Sequence, residues 1–408
     1  MNLLERYRQV RSTTESLAAP LSAEDQLLQS MPEASPVKWH LAHTSWFFDT
    51  FVLEGLPGEP AVEPDRALLY NSYYEAVGPR VARARRGLLS RPSLDEVRAY
   101  RRSIDERMAR WLEPGRLPPA RTHLVELGLA HEQQHQELIL TDIKHALHAN
   151  PIGPAYGAPA QVGRAAARAI TWRRYDERIA GIGDDGSGFA FDNERPRHRA
   201  LVPGFELASR LVSAGEYLEF IRDGGYRRPA LWLSDGWATV QADGWLAPLY
   251  WSQEDAGWSV YTLRGRRPLD PAEPVCHLSY YEADAFARWA GARLPTEFEW
   301  EVAAGEASAE GAFLESGALH PTAATADGPA QLYGDAWEWT ASAYAPYPRF
   351  RPEAGAAGEY NGKFMSGQMV LRGGSCATPR SHMRITYRNF FPPSARWQLS
   401  GLRLARDP

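Results

Sequence analysis

Apolar positions in the first 150 residues recur at three- and four-residue intervals, which is the spacing of amphipathic helices. Ser35 and Pro36 offer an N-cap and a first-turn proline to one helix, and Ser93 and Glu96 form a capping-box pattern ahead of another. Pro151 ends the last one. The pattern predicts four helices, at about residues 2–19, 36–53, 94–111 and 122–150.

The same pattern predicts two domains of different class. Four helices joined by one long connection, residues 55–92, favour a four-helix bundle with a crossover over residues 1–150. Residues 151–168 are rich in Pro, Gly and Ala, as linkers are, and beyond them short alternating runs are separated by glycine-rich turns. One further helix is predicted at 279–290. We therefore expect a loop-rich α+β domain over residues 169–408.

Composition narrows the functional classes. The 408 residues are 44% hydrophobic and 23% charged, as in soluble globular proteins. The formal net charge is −5 and there is no long basic run, so nucleic acid is not an expected partner. No run of roughly 18 apolar residues occurs and charges interrupt the N-terminus, so we expect no membrane partner and a cytoplasmic location. With only two cysteines, a metal would have to be held by His and carboxylate.

His131 and His135 are the clearest candidate metal ligands. Residues four apart share one face of a helix, so both imidazoles would be available to a single transition metal. The alternative is a polar seam in a bundle, or two histidines on the surface. Glu132 also completes the HExxH pattern of zinc hydrolases, which leaves that class of enzyme open.

A third ligand could come from the second predicted helix. That helix contains His40 and His43 among Trp39, Trp46 and other aromatic residues, and bundles build metal sites from facing helices. Three histidines leave open positions on a six-coordinate ion, which suits a metal that binds substrates and dioxygen together. A histidine that is hydrogen-bonded within the core is the alternative.

Two groups of motifs carry a resemblance to known families. The runs SPVKWHLAHTSWFFDTFVL and HEQQHQELIL resemble DinB-like bundles, whose three histidines hold iron. The runs FDNERPRH, LPTEFEWEVAA, GDAWEWTASAY, VLRGGS and SGLRLARD resemble the formylglycine-generating-enzyme or sulfatase-modifying-factor domain, a C-type-lectin-like fold. The order of the two domains is similar to that in the ergothioneine-biosynthesis sulfoxide synthases of the EgtB type.

The resemblance implies the identity of the metal and of its ligands. It makes His43, His131 and His135 the ligands of iron(II), leaves His40 as a neighbour, and places Gln134 against the imidazole of the substrate. It also implies that the second domain is not itself a formylglycine-generating enzyme. That chemistry uses two nearby cysteines, and the matching motif RGGSCAT contains one.

The long connection holds further residues that the resemblance singles out. Arg83 and Arg86 are spaced to bind the carboxylate of a thiol donor; a solvated basic patch is the alternative. Tyr73 and Tyr74 are expected to be the catalytic, proton-donating tyrosines, although some relatives take this residue from the second domain. Buried structural tyrosines would produce the same pattern.

Near the C-terminus, Asn389 and Phe390 match the family segment that faces the betaine substrate. A trimethylammonium group is attracted to aromatic faces, which accounts for an aromatic residue there. One branch of the family carries Trp-Asp after this Asn, whereas this chain has Phe390 and Phe391. The missing carboxylate favours free cysteine over γ-glutamylcysteine as the thiol donor.

The expected function is that of a non-haem iron(II)- and dioxygen-dependent sulfoxide synthase. It would join a thiol sulfur to C2 of the imidazole of hercynine, with an active site formed between the two domains. Three alternatives stay open at this point. They are a zinc-dependent thiol transferase or hydrolase of the DinB type, a relative that makes selenium or ovothiol-type products, and a binding protein in which the bundle is structural.

Overall fold

A computed structural model describes residues 1–158, 168–325, 329–353 and 355–408 of the chain. The chain divides into two compact units. One contains Met1–Gly157 and Pro352–Tyr360, and the other contains Ala158–Arg351 and Asn361–Pro408. The first division point falls within the predicted linker at 151–168, of which residues 159–167 lie outside the described part.

The first unit is helical, as the periodicity predicts. The described helices of this unit are α1 (Leu3–Ala18), α2 (Val37–Phe47), α3 (Pro64–Tyr70), α4 (Leu94–Trp111) and α5 (Pro119–Ala149). The long helix α5 packs against α1 and α2, and α2 also packs against α4. A Cβ on Gly128 of α5 would lie 2.6 Å from the ring of Phe48, so the glycine lets the π-helical turn Phe48–Leu53 approach closely.

One of the two helix caps predicted from the sequence is present in the structure, and the other is not. Ser93 and Glu96 form the predicted capping box of α4. Ser35, by contrast, is not the N-cap of α2, which begins one residue later than predicted with Pro36 in the cap position. The Ser35 hydroxyl accepts a hydrogen bond from Arg86 instead, and the backbone N–H of Ser35 donates to Asp142. Ser35 therefore ties α2 to other parts of the unit.

The predicted connection at 55–92 is more ordered than a loop. It contains α3 and the 3-10 helix Arg83–Leu88. Among the described residues, none of the helices combines the length and the apolar character needed to cross a bilayer.

The second unit contains short strands and helices separated by long loops, which confirms the expected fold class. The helices are α6 (Ala214–Arg222), α7 (Ser234–Asp243), α8 (Tyr280–Trp289) and α9 (Glu297–Ala304). The strands are β1 (Trp172–Tyr175), β2 (Arg178–Ile182), β3 (His198–Val202), β4 (Phe205–Ala208), β5 (Trp251–Glu254), β6 (Gly257–Thr262), β7 (Gly265–Pro268), β8 (Trp337–Ala343), β9 (Met369–Arg372), β10 (Asn389–Phe391), β11 (Ser400–Gly401) and β12 (Ala405–Arg406).

Small sheets hold these strands in register. Their orders are β1-β4-β12, β10-β9-β8-β11, β2-β3 and β5-β6-β7, and β11 pairs with β8 in parallel. Helix α8 is the one predicted at 279–290, and Ser279 and Glu282 form its capping box. A fully buried ion pair between Arg403 and Glu338 anchors the C-terminal segment to β8.

Candidate metal centre and substrate residues

Three histidines of the first unit bring one nitrogen each to a common point. His43 lies on α2, and His131 and His135 lie on α5. The Nε2 atom of His131 is 3.1 Å from Nε2 of His43 and 3.0 Å from Nε2 of His135. All three side chains are buried, and together they form a group that could hold a metal ion. The predicted ligand set is therefore assembled in space.

The protonation state of the three rings suits a metal. Burial lowers the pKa of His43 and of His135 well below the usual range, and the neighbouring imidazoles lower both further. Burial likewise lowers the pKa of His131 to about 3. The rings are thus neutral at physiological pH, and a neutral imidazole offers a lone pair to a metal. The donor set fits a transition-metal ion.

The His43 ring is fixed by its surroundings. Its Nδ1 lies 2.6 Å from the carbonyl oxygen of Tyr70, and a carbonyl can only accept, so Nδ1 carries the proton and Nε2 the lone pair. The indole of Trp39 stacks on the imidazole of His43 with centroids 4.4 Å apart and an interplanar angle of 14°. The tautomer that binds metal through Nε2 is therefore already selected.

Glu132 does not have the role that the HExxH pattern implies. Its two carboxylate oxygens accept hydrogen bonds from Arg101 at 2.6 Å and from Arg11 at 2.8 Å, and the side chain is fully buried. Burial alone would raise the pKa of Glu132, but Arg101 and Arg11 hold it at about 2. A carboxylate with both oxygens occupied by arginines is not placed to take a proton from a water molecule. The geometry therefore argues against a zinc hydrolase.

The predicted tyrosine pair lies in an aromatic cluster. Asn71 fixes the turn by exchanging hydrogen bonds with the backbone of Tyr74. The ring of Tyr74 is fully buried, 4.6 Å from the ring of Tyr73 and 5.0 Å from that of Phe51. Burial raises the pKa of Tyr74 well above its usual range, and Tyr73 and Tyr360 add to the effect. Tyr74 is therefore a protonated phenol at neutral pH.

Tyr360 is a site residue that the sequence does not reveal. Its ring lies 5.6 Å from that of His131 and 6.1 Å from that of Tyr73. Its hydroxyl donates a hydrogen bond to the side-chain oxygen of Gln134. No local pattern marks this tyrosine, because its place depends on the return of Pro352–Tyr360 to the first unit.

Acidic residues hold the returning segment in place. The carboxylate of Glu359 accepts hydrogen bonds from the backbone N–H groups of Glu75 and Ala76, just beyond the tyrosine pair. Glu353 pairs with His123 of α5 at 2.9 Å. Tyr360 is thus positioned by contacts on both the loop and the long helix.

The two predicted arginines differ in their environments. Arg83 is exposed, whereas Arg86 is buried with its guanidinium 3.5 Å above the ring of Trp39. Arg86 donates to the hydroxyls of Ser35 and Ser72, and within the described residues it has no ion pair. Burial, together with the neighbouring Arg83, lowers the pKa of Arg86 to about 9. The alternative of a solvated basic patch therefore fits Arg83 but not Arg86.

Asn389 and Phe390 lie on β10 of the second unit. The side-chain oxygen of Asn389 accepts a hydrogen bond from the backbone N–H of Phe390 at 2.9 Å. The ring of Phe390 stacks on that of Tyr344 with centroids 4.0 Å apart, and the ring of Phe364 lies 5.9 Å away. Both residues remain partly exposed, so they are available to a ligand.

Comparisons with known proteins agree with this architecture. Residues 6–139 match the DinB superfamily, and residues 179–327 and 323–408 match the sulfatase-modifying factor enzyme 1-like domain. The chain is 33% identical to the hercynine oxygenase of Mycolicibacterium thermoresistibile, over 92% of this chain and 88% of that protein. It is 32% identical to the hercynine oxygenase of Mycobacterium tuberculosis, over 92% of each. It is also 31% identical to ergothioneine biosynthesis protein 1 of Schizosaccharomyces pombe, over 54% of this chain and 28% of that protein.

A helical bundle with three converging histidines, followed by a sulfatase-modifying-factor domain, defines a class of two-domain, metal-dependent oxygenases. The chain belongs to the hercynine oxygenase family. The recognition of the family, of its two domain types and of an enzyme from sequence motifs is thereby confirmed. The roles of the individual site residues stay predictions.

The buried carboxylate of Glu132 generates a prediction about stability. Glu132→Gln removes the charge that compensates Arg11 and Arg101, so it should lower the free energy of unfolding by about 3–5 kcal/mol at neutral pH. Because the folded-state pKa is about 2, against an ordinary 4.5, the contribution is present above pH 4.5 and lost as the pH falls through 2. Urea denaturation of the metal-free protein measures it.

Glu126→Gln is the matched control on the same helix. Glu126 pairs with Arg6 at 3.2 Å at a partly exposed position, so its loss should cost less than about 1 kcal/mol. Equal small effects of the two substitutions would show that the Glu132 cluster does not stabilise the bundle.

Proposed function

We propose that this protein is an iron(II)- and dioxygen-dependent sulfoxide synthase acting on hercynine. In this reaction the sulfur of a thiol is joined to C2 of the hercynine imidazole. One oxygen atom of O2 stays on sulfur, and the other leaves as water with the thiol proton and the C2 proton. The observation that carries the proposal is the convergence of three buried, neutral imidazoles in a chain of the hercynine oxygenase family.

The reaction favours iron over zinc, because dioxygen chemistry needs a redox-active metal and zinc has no redox chemistry. Three histidine ligands leave up to three open positions on a six-coordinate ion, which is enough for both substrates and dioxygen. Iron(II), when bound there, supplies the redox chemistry that dioxygen requires.

The proposal is tested by loading the protein with iron(II) without oxygen, and then adding O2, hercynine and cysteine or γ-glutamylcysteine. Mass spectrometry should detect a sulfoxide that contains one atom of O2. His43→Ala, His131→Ala and His135→Ala should each abolish iron content and product, because a ligand is lost. His145→Ala, on the same helix but bonded to Ser30, is the control.

Full iron retention in any two of the three alanine variants would reject the ligand assignment. Turnover by a zinc-loaded protein without oxygen would support a zinc-dependent thiol transferase instead. Ligand binding without any turnover would support a binding protein.

Arg86 is the proposed contact for the carboxylate of the thiol donor. A buried guanidinium without a carboxylate partner carries an uncompensated desolvation cost, and an anionic ligand would offset it. A pocket beside Arg86 is also lined by Lys38 and Arg91. The Lys38 ammonium donates hydrogen bonds to three backbone carbonyls, so Arg86 is better placed than Lys38 to bind an anion.

Asn389 and Phe390 are the proposed contacts for hercynine. Its trimethylammonium group carries a charge that no deprotonation removes, and aromatic rings attract such a cation by about 0.5–2 kcal/mol each. Phe390 belongs to a stack with Tyr344 and Phe364, which concentrates aromatic surface at this point. Phe391 stands where one branch of the family has a carboxylate, so we propose free cysteine as the thiol donor over γ-glutamylcysteine.

Substitutions at these positions should separate the two substrates. Arg86→Ala should raise KM for the thiol at least tenfold with little change for hercynine, because a buried charge-assisted contact is lost. Arg83→Ala should act in the same direction but more weakly, since Arg83 is exposed. Asn389→Ala should raise KM for hercynine instead. Steady-state kinetics with each substrate varied in turn gives the answer, and equal effects on both substrates would refute this division of roles.

Tyr73 and Tyr74 are the proposed proton donors. The raised pKa of Tyr74 keeps its phenol protonated, as a general acid requires. Tyr73→Phe or Tyr74→Phe should lower kcat for carbon–sulfur bond formation more than tenfold with little change in substrate affinity. Tyr360→Phe is the matched variant. It removes the hydrogen bond to Gln134 and should mainly raise KM for hercynine.

Wild-type turnover in both Tyr73→Phe and Tyr74→Phe, with turnover lost in Tyr360→Phe, would reassign the proton donor to Tyr360. Rapid-quench measurement of the sulfoxide, alongside KM for both substrates, distinguishes the two results.

A further inference from the structure

A buried chain of hydrogen bonds leads from the candidate ligand His135 to two side chains to which the proposed function assigns no role. Nδ1 of His135 is 2.7 Å from Nδ1 of His40, and Nε2 of His40 is 3.1 Å from Oδ2 of Asp142. All three side chains are buried. Oδ2 of Asp142 is also 2.8 Å from the backbone nitrogen of Ser35, two residues before α2. The chain therefore starts on α5 at His135, crosses to α2 at His40 and returns to α5 at Asp142.

With Asp142 as a carboxylate and His40 as a neutral imidazole, the directions of the hydrogen bonds in this chain follow from counting protons. The backbone N–H of Ser35 can only donate, so Oδ2 of Asp142 accepts from it. Nε2 of His40 donates to the same oxygen. The neutral imidazole has only one ring proton, so Nδ1 of His40 is an acceptor. The proton between the two imidazoles therefore belongs to Nδ1 of His135, which leaves the lone pair of that ring on Nε2.

This is the tautomer that a metal needs. Nε2 of His135 is the atom that faces Nε2 of His131, and it can bind a metal only when it carries no proton. The opposite tautomer would place the proton on Nε2 and block that position. His43 obtains the same tautomer from the Tyr70 carbonyl, whereas Nδ1 of His131 has no hydrogen-bond partner within the described residues.

We infer that Asp142 and His40 are positioning residues which, through two hydrogen bonds, hold His135 in its metal-binding tautomer and orientation. The inference rests on the metal centre of the proposed function and adds a role for residues outside the ligand set. Outer hydrogen bonds to ligating histidines typically change metal affinity by about 10- to 100-fold. A chain of an imidazole and a carboxylate should have an effect of that order here.

Two amide substitutions at His40 test the inference against the alternative that His40 only fills space in the core. The amide of Asn occupies the position of Nδ1, so His40→Asn keeps an acceptor for His135 but loses the contact with Asp142. The amide of Gln reaches the position of Nε2, so His40→Gln does the reverse. We expect His40→Gln to weaken Co(II) binding by about 10- to 100-fold and His40→Asn to retain most of the affinity. Space filling would give the opposite order, because Asn leaves the larger cavity.

The readouts are Co(II) titration and the visible absorption bands of bound Co(II), which report the ligand field without any turnover. The bands should shift in His40→Gln and resemble the wild type in His40→Asn. Thermal unfolding of the metal-free variants identifies any that do not fold. Equal affinities and equal spectra for two folded variants would overturn the inference.

A double-substitution cycle tests the other end of the chain, and it remains informative if His40→Gln fails to fold. Asp142→Asn should weaken Co(II) binding when residue 40 is His and have no further effect in the His40→Asn background, where the contact is already absent. The same loss in both backgrounds would contradict a role through His40. Failure of the wild-type protein to bind Co(II) would instead reject the metal centre itself.

Discussion

Three imidazoles that are buried together and must remain neutral impose the main constraint on the first unit. A buried ring nitrogen that lacks a partner costs about 1–3 kcal/mol, and for two of the three rings the surrounding residues supply an acceptor in a fixed place. The Tyr70 carbonyl does so for His43, and His40 does so for His135. These acceptors lie on or beside α2, whereas two of the candidate ligands lie on α5. The packing of α2 against α5 is therefore tied to the chemistry of the centre as well as to the hydrophobic core.

The charged side chains around the three histidines are paired with other groups and not with the imidazoles. The one carboxylate next to a ligand in sequence, Glu132, is bound by arginines from α1 and α4. The guanidinium of Arg86 covers the ring of Trp39, and Trp39 in turn stacks on His43. An indole ring therefore lies between this cation and a candidate ligand, and the charge of Arg86 contributes to the lowered pKa of His43 and His135.

Local signals in the sequence were sufficient for much of this picture. Helical periodicity and capping residues depend on neighbours three and four positions away, so α1, α4, α5 and α8 could be predicted closely. The spacing of His131 and His135 is likewise a local property, and the motifs around them identified the family. The local signal was wrong at Ser35. Its hydroxyl accepts a hydrogen bond from the distant Arg86 and does not cap the helix.

Residues whose roles depend on distant contacts could not be predicted from the sequence. The arginine-rich sequence around these positions does not distinguish the exposed Arg83 from the buried Arg86. The burial of Arg86 depends on its contacts with Trp39 and with two serines elsewhere in the chain. The same applies to Glu132. It matches a catalytic motif in the sequence, but the structure shows that its carboxylate is bound by two arginines.

Tyr360 and Gln134 are 226 residues apart in the chain, yet they share a hydrogen bond within one unit. The polypeptide leaves the first unit after Gly157, comes back at Pro352 and departs again after Tyr360. The bundle is therefore not a contiguous segment, and a gene cut after codon 157 would encode its helices without the tyrosine beside His131. Exchange of the second half between relatives would carry this tyrosine with it. Recombination at the apparent domain boundary consequently changes a residue beside the candidate metal ligands, even though all three of those histidines are encoded on the other side of the boundary.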